Sequence, residues 1–158
     1  MTMIMPTLFA GHGNPMNAIE DNAFSRTWTE VGKSLPRPRA IVCVSAHWET
    51  DGTCVTAMAS PPTIHDFHGF PQQLNEMAYP ASGSPALANR ITELVRSARI
   101  RPDRMWGLDH GAWSVLCRMF PEADIPVVQI SLDAGAPPAF HYKLGRELRP
   151  LRQEGVLV

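Results

Sequence analysis

Apolar residues fall in two kinds of stretch along this chain, short continuous runs and longer segments with helical spacing, and the two alternate. Thr7 to Ala10 is a short run that stops at Gly11, and Ala40 to Ala46 (AIVCVSA) is a longer one rich in β-branched residues. Both read as buried strands, each ending at a histidine. Between them Phe24, Trp28, Val31 and Leu35 recur at steps of four, three and four, which predicts a helix with one apolar stripe, stopped by the LPRPR segment. Ser84 reads as an N-cap and Pro85 as the first helical residue. Leu87, Ile91, Leu94, Val95 and Ala98 then form a stripe, with Arg96 and Arg99 in the expected last turn. Ala112 to Phe120 predicts a shorter helix and Val127 to Leu132 another strand. Phe140, Leu144, Leu148 and Leu151 mark the inner face of a helix opened by Pro137 and Pro138, after which Gly155 releases the closing VLV.

Strands alternating with helices imply an α/β domain whose sheet is covered on both faces, and in such sheets sites collect beyond the carboxyl ends of the strands. His12 and His47 are expected in that zone. The closing apolar VLV has no turn, cap or polar tail after it, so the fold is expected to be unfinished at Val158.

Composition narrows the class. With 158 residues and 44% apolar content the chain has the length and core of one domain, spanning 1–158. Lysine and arginine number 14 against 15 acidic residues, so no positive field exists to hold nucleic acid or an anionic membrane. The opening MTMIMPTLFAGHG carries no basic leader and is interrupted too early to complete a signal or membrane segment, which predicts a cytoplasmic protein. Cys43, Cys54 and Cys117 form an odd set without a C-x-x-C pair, fitting neither a disulfide framework nor a zinc knuckle.

The candidate chemistry lies in the histidines. His12 stands in GHGNP, where flanking glycines and an Asn-Pro turn let the ring be aimed, although a histidine that bonds its own loop would fit the same motif. His47 follows the strand and precedes Trp48. Two imidazoles converging from sequential strands suit a divalent iron, zinc or copper ion, but a site wants a third protein ligand, and none announces itself. His110 lies between Asp109 and Gly111 at a helix start, so Asp109 is expected either to orient it for proton transfer or merely to enter the helix. His65 and His68 share TIHDFHGFP, whose Phe67 and Phe70 could wall an aromatic substrate or anchor the loop, and His68 reads as a residue without a role in the chemistry. His141 reads as a surface residue. Ser45 and His47, two apart on a strand, share a face without pointing their tips at each other, which argues against a nucleophile–base pair.

The segments LFAGHGNPMNAIEDN, SAHWET, PPTIHDFHGFP, YPASGSPALA and GLDHGAWSVL, in this order, resemble the class III extradiol ring-cleaving dioxygenases, and within them the DOPA 4,5-dioxygenase branch. The resemblance runs from about Pro6 to the end of the chain. It implies a three-layer α/β/α fold with a central, mostly parallel sheet. It also implies one metal ion, Fe(II) in the active enzyme and often Zn(II) in purified protein, held by His12 and His47. His110 would lie in the pocket assisting a small aromatic diol and O₂, and His65 would border the substrate.

The chain matches only the N-terminal portion of that family. Similar proteins continue with a G-N-x-x-H-N segment that carries a catalytic base, and later with a third metal ligand. The expectation is therefore a site that a C-terminal segment or a second chain completes. The competing reading is a non-catalytic metal-binding or interaction module on the same scaffold. A zinc hydrolase would need a carboxylate at the strand ends, and none stands out.

Overall fold

The computed structural model describes residues 4–158, so the first three positions of the opening segment lie outside the description. Strands Ala40–Thr50 (β1), Cys54–Thr56 (β2), Arg101–Asp103 (β3), Val127–Asp133 (β4) and Val156–Leu157 (β5) form a sheet in the order β3-β2-β4-β1-β5. β1 runs parallel to both β4 and β5, β2 runs parallel to β3, and β2 meets β4 antiparallel. The fold is thus α/β with a mostly parallel sheet. The helices are Ala23–Ser34 (α1), Gln72–Asn75 (α2), Pro85–Leu94 (α3), His110–Met119 (α4), Pro138–Glu147 (α5) and Pro150–Gln153 (α6). No helix among the described residues is long and apolar enough to cross a membrane.

Alternation along the strands divides the core into two layers. Ile41 and Val127 point to the side where Trp28 of α1 and Trp113, Leu116 and Met119 of α4 are buried. Val42, Val128 and Ile130 point to the other, against Leu87 and Ile91 of α3, Leu144 of α5 and Leu151 of α6. Each fully buried aliphatic side chain contributes about 1.5–3 kcal/mol. The helix α1 lies so close to α4 that a Cβ on Gly32 would stand 2.2 Å from the Met119 carbonyl oxygen, so only glycine allows this approach.

Local signals explain the helix starts. Asn22 caps α1 by accepting from the Phe24 and Ser25 amides, with Ser25 Oγ accepting in turn from the Asn22 amide. Ser84 Oγ accepts from the Leu87 amide at the start of α3, with Pro85 in its first turn.

Several expectations need correction. Thr7 to Ala10 is not a strand: Pro6 has no amide to donate, Phe9 is exposed, and Leu8 donates one bond to the Val158 carbonyl beside the two-residue β5. β1 does not stop at His47 but continues to Thr50, its pairing with β4 slipping between Val44 and Glu49. Phe24 of the α1 stripe is exposed. α3 ends at Leu94, because Val95 turns extended and the Glu147 carboxylate takes the Arg96 and Ser97 amides, so Arg96 and Arg99 lie beyond the helix. The last helix is broken into α5 and α6 at Pro150, which has no amide to continue the ladder. α4 begins at His110, earlier than Ala112, since Asp109 rather than a later residue is its N-cap.

Candidate metal centre

Three histidines meet at one end of the sheet. His12 comes from the loop before a 3-10 turn at Pro15–Ala18, whose N-cap Asn14 accepts from the Met16 amide. Asn17 Nδ2 in that turn donates to the His12 carbonyl at 3.2 Å and so holds the backbone. His47 lies on β1 within the slipped stretch, and His110 is the first residue of α4. His12 Nε2 and His47 Nε2 are 2.8 Å apart, and one ring nitrogen from each of the three lies within 4.8 Å of the others. The rings of His47 and His110 are 4.0 Å apart at their centres, and those of His12 and His110 are 5.0 Å apart.

Behind these rings sits a buried polar network. Asp109, fully buried, accepts from Ser45 Oγ at 2.7 Å and from the Ala112 amide at 3.3 Å, and its other oxygen accepts from Gln129 Nε2. Ser45 Oγ in turn accepts from the His47 amide at 3.2 Å. Gln129 is fixed by its own amide, which donates to Thr56 Oγ1 at 2.8 Å. One carboxylate thus joins β1, β4 and α4 just beneath the histidines, and a fully bonded network of this kind gives the site a single geometry. Gly111 lets the layers close: a Cβ there would stand 2.7 Å from both His47 Cδ2 and Ser45 Oγ.

Of the two roles expected of Asp109, helix entry is the one it takes, as the N-cap of α4. Asp109 does not orient the His110 imidazole; Asp66 does, its Oδ1 meeting His110 Nδ1 at 2.8 Å and accepting from the His110 amide at 3.0 Å. The helix N-cap geometry occupies Asp109 with Ala112 and Ser45, which leaves the ring to a carboxylate from the 63–70 loop. Burial pushes the Asp66 pKa up, but the bonds from His110 outweigh it and hold the carboxyl below its usual value. Burial, followed by the neighbouring His110 and His47, lowers the pKa of His12. Burial also drives the Cys43 thiol up to about 12, so it stays protonated at neutral pH.

His65 stands outside the triplet. Its Nε2 bonds the Met77 carbonyl at 2.8 Å, and its ring lies 5.6 Å from Trp113 and 5.8 Å from Phe67. Phe67 links the two zones, meeting Phe70 at 5.2 Å and His110 edge-on at 5.6 Å. His68 is exposed, and His141 packs edge-on against Phe140. Asp66 and His110 as a third nitrogen beside the other two are the features that sequence reasoning missed. The only signal for Asp66 was its place between His65 and Phe67 in the aromatic loop.

The donor set fits a divalent ion. Metal–imidazole bonds of about 2.1 Å place neighbouring nitrogens about 3 Å apart when they meet near a right angle. His12 and His47 approach that separation. Among the described residues His12 Nδ1 is buried without a partner, and the ring engages His47 through Nε2. Imidazole nitrogens gathered in this way are donors that suit a borderline cation such as iron or zinc.

The family model described as the catalytic LigB subunit of aromatic ring-opening dioxygenase matches residues 6–158. A 4,5-DOPA dioxygenase extradiol of Escherichia coli K12 is 57% identical over 98% of this chain, and that of Beta vulgaris is 46% identical over 98%. The matches cover 57% and 60% of those relatives, so the chain spans little more than half their length. A crystal structure of an Escherichia coli K12 protein, itself described as uncharacterized, superposes with a TM-score of 0.80 at 51% identity, covering 97% of this chain and 57% of that one.

Proposed function

The chain belongs to the family of the catalytic LigB subunit of aromatic ring-opening dioxygenases, and from that membership we propose that it carries the metal-binding part of an extradiol dioxygenase acting on a catechol such as DOPA. The observation that carries the reading is the pair of Nε2 atoms 2.8 Å apart, with the third imidazole beside them. His12 and His47 would hold the ion, Fe(II) in the active form and Zn(II) as a substitute, each through Nε2. When bound, Fe(II) would bring the diol and O₂ together and pass electrons between them, which is the chemistry ring opening requires.

The chain's own residues supply the rest. His110, held by Asp66, would exchange a proton with an oxygen of the substrate through the nitrogen that Asp66 leaves free. His65, anchored on the Met77 carbonyl, and Phe67 would border the aromatic ring and limit water beside it. A further segment, from this chain or a second one, would complete the ligand set. What supports that part is an apolar cavity of about 330 Å³ that runs along Cys43–Ala46 of β1, past Leu8 and Phe9, and reaches His12.

The test is anaerobic Fe(II) loading of the protein with the completing segment present, followed by DOPA and air. A yellow semialdehyde is expected from the wild type and its loss from His12→Ala and His47→Ala. Yellow product that survives either substitution would rule out the assigned ligands. Metal uptake without any product from any catechol would point instead to a metal-binding module.

A further inference from the structure

We propose that Asp66 is a positioning residue that sets both the orientation and the tautomer of His110, placing the proton on Nδ1 and the lone pair on Nε2. The inference adds to the proposed role of His110 but stands on its own geometry. A single oxygen, Asp66 Oδ1, meets two nitrogens of one residue, the His110 amide at 3.0 Å and ring Nδ1 at 2.8 Å. Two bonds converging on one acceptor fix the ring relative to its own backbone, because rotating χ1 or χ2 would break the second bond while the first persists.

An ionised carboxylate has acceptors and no donor. The ring nitrogen facing Asp66 must therefore carry the proton, and a neutral imidazole then keeps its lone pair on the other nitrogen. The side chain of Asp66 is 20% exposed and that of His110 is 7% exposed, so water competes weakly for this bond. Phe67, the next residue, meets the His110 ring edge-on, with centroids 5.6 Å apart and planes at 89°. The two neighbours clamp the imidazole, one by its nitrogen and the other against the phenyl ring.

A role in helix capping alone does not explain the pair. The α4 helix already has Asp109 as its N-cap, accepting from the Ala112 amide. A cap has no need to bond the side chain of the first helical residue, and the shorter of the two Asp66 bonds is to that side chain. The same contact also ties the 63–70 loop, with His65 and Phe67, to the helix that presents His110. Loop position and ring tautomer are thereby set by one carboxylate.

The test reads ring protonation by long-range ¹H–¹⁵N correlation in metal-free protein labelled with ¹⁵N-histidine, at about pH 8, above the ordinary histidine pKa of about 6.5. His110→Gln assigns the resonances by their loss. In the wild type, His110 Nδ1 is expected at the protonated end of the imidazole range and Nε2 at the unprotonated end. Asp66→Ala should move the population toward the Nε2–H form, the intrinsic preference of free histidine. Asp66→Glu should restore the wild-type pattern at least in part. Asp66→Asn, which keeps the volume and an acceptor for the amide, guards against a folding defect and should give a mixed population. A wild-type His110 protonated on Nε2, or a pattern that Asp66→Ala and Asp66→Asn leave unchanged in folded protein, would overturn the proposal. Because no turnover is measured, failure of the dioxygenase reading would leave this result intact, and the converse holds as well.

Discussion

On the face of the sheet covered by α3, α5 and α6, the strands present Val42, Val55, Val128 and Ile130, and the layer stays apolar from end to end. On the face covered by α1 and α4 the same strands begin with Ile41 and Val127, then turn polar toward their carboxyl ends through Ser45 and Gln129. One layer serves only cohesion. The other gives up apolar contact near its rim to hold Asp109, which bonds Ser45, Gln129 and the start of α4. Stability and site geometry are therefore separable between the two faces, and substitutions on each should report different properties.

The sharpest way to break that contrast is Ile91→Ala. Ile91 is fully buried on α3 in the apolar layer, so truncation should leave a cavity and cost about 2–5 kcal/mol in urea or thermal unfolding. Zinc affinity of the folded protein, measured by competition with a chelating dye, should stay within about twofold of wild type, since distant independent sites change by no more than about 0.5 kcal/mol. A large fall in affinity would mean that the two layers are coupled.

Gly111→Ala probes the other face. The added Cβ would stand 2.7 Å from His47 Cδ2 and from Ser45 Oγ, and both neighbours are restrained by the Asp109 network. Overpacking of this kind should cost about 1–3 kcal/mol. Here the loss should be accompanied by weakened zinc binding, because relief of the clash moves His47. Unchanged affinity would show that the ring tolerates displacement and that the network has no part in aiming it.

Much of the apolar layer was legible in the residues. Ser84 and Pro85 announce α3, and the stripe Leu87–Ile91 is the one that packs, because capping and periodicity are local properties. The strands β2 and β3 were not legible: they are three residues each, and CVT and RPD carry too little pattern to separate strand from loop. At the site, His12, His47 and His110 could be picked out by their glycine, strand-end and helix-start settings. The meeting of His12 and His47 was expected from their strand-end settings, but the approach of a His110 ring nitrogen to them was not, nor was the bond from Asp66 to a ring 44 residues away. Asp109 was the nearer carboxylate in sequence, and helix geometry turned it inward toward Ser45.

Ser84→Ala should remove the bond to the Leu87 amide and cost about 1 kcal/mol, again without change in zinc affinity. If unfolding were unaltered, the Pro85 start alone would be sufficient for α3.

The smallest effect concerns a carboxylate that ties the apolar layer together at its surface. Glu147 on α5 accepts from the Ser97 amide at 3.0 Å, from Ser97 Oγ at 2.9 Å and from the Arg96 amide at 2.8 Å, joining α5 to the turn after α3. The Ser97 amide is the main cause that holds its pKa below the ordinary 4.5, with burial opposing and the Arg96 amide and Ser97 hydroxyl adding to it. A carboxyl whose pKa is lower folded than unfolded stabilises the fold at pH values above its ordinary pKa, and the contribution fades as pH falls through the folded value. Glu147→Gln keeps one acceptor but cannot titrate. Unfolding followed from neutral pH downward should therefore show a shallower acid-side decline in the variant, with the two proteins differing most at neutral pH and converging in acid. Parallel curves would place the acid sensitivity elsewhere, and the carboxylates of the histidine face would become the next to test.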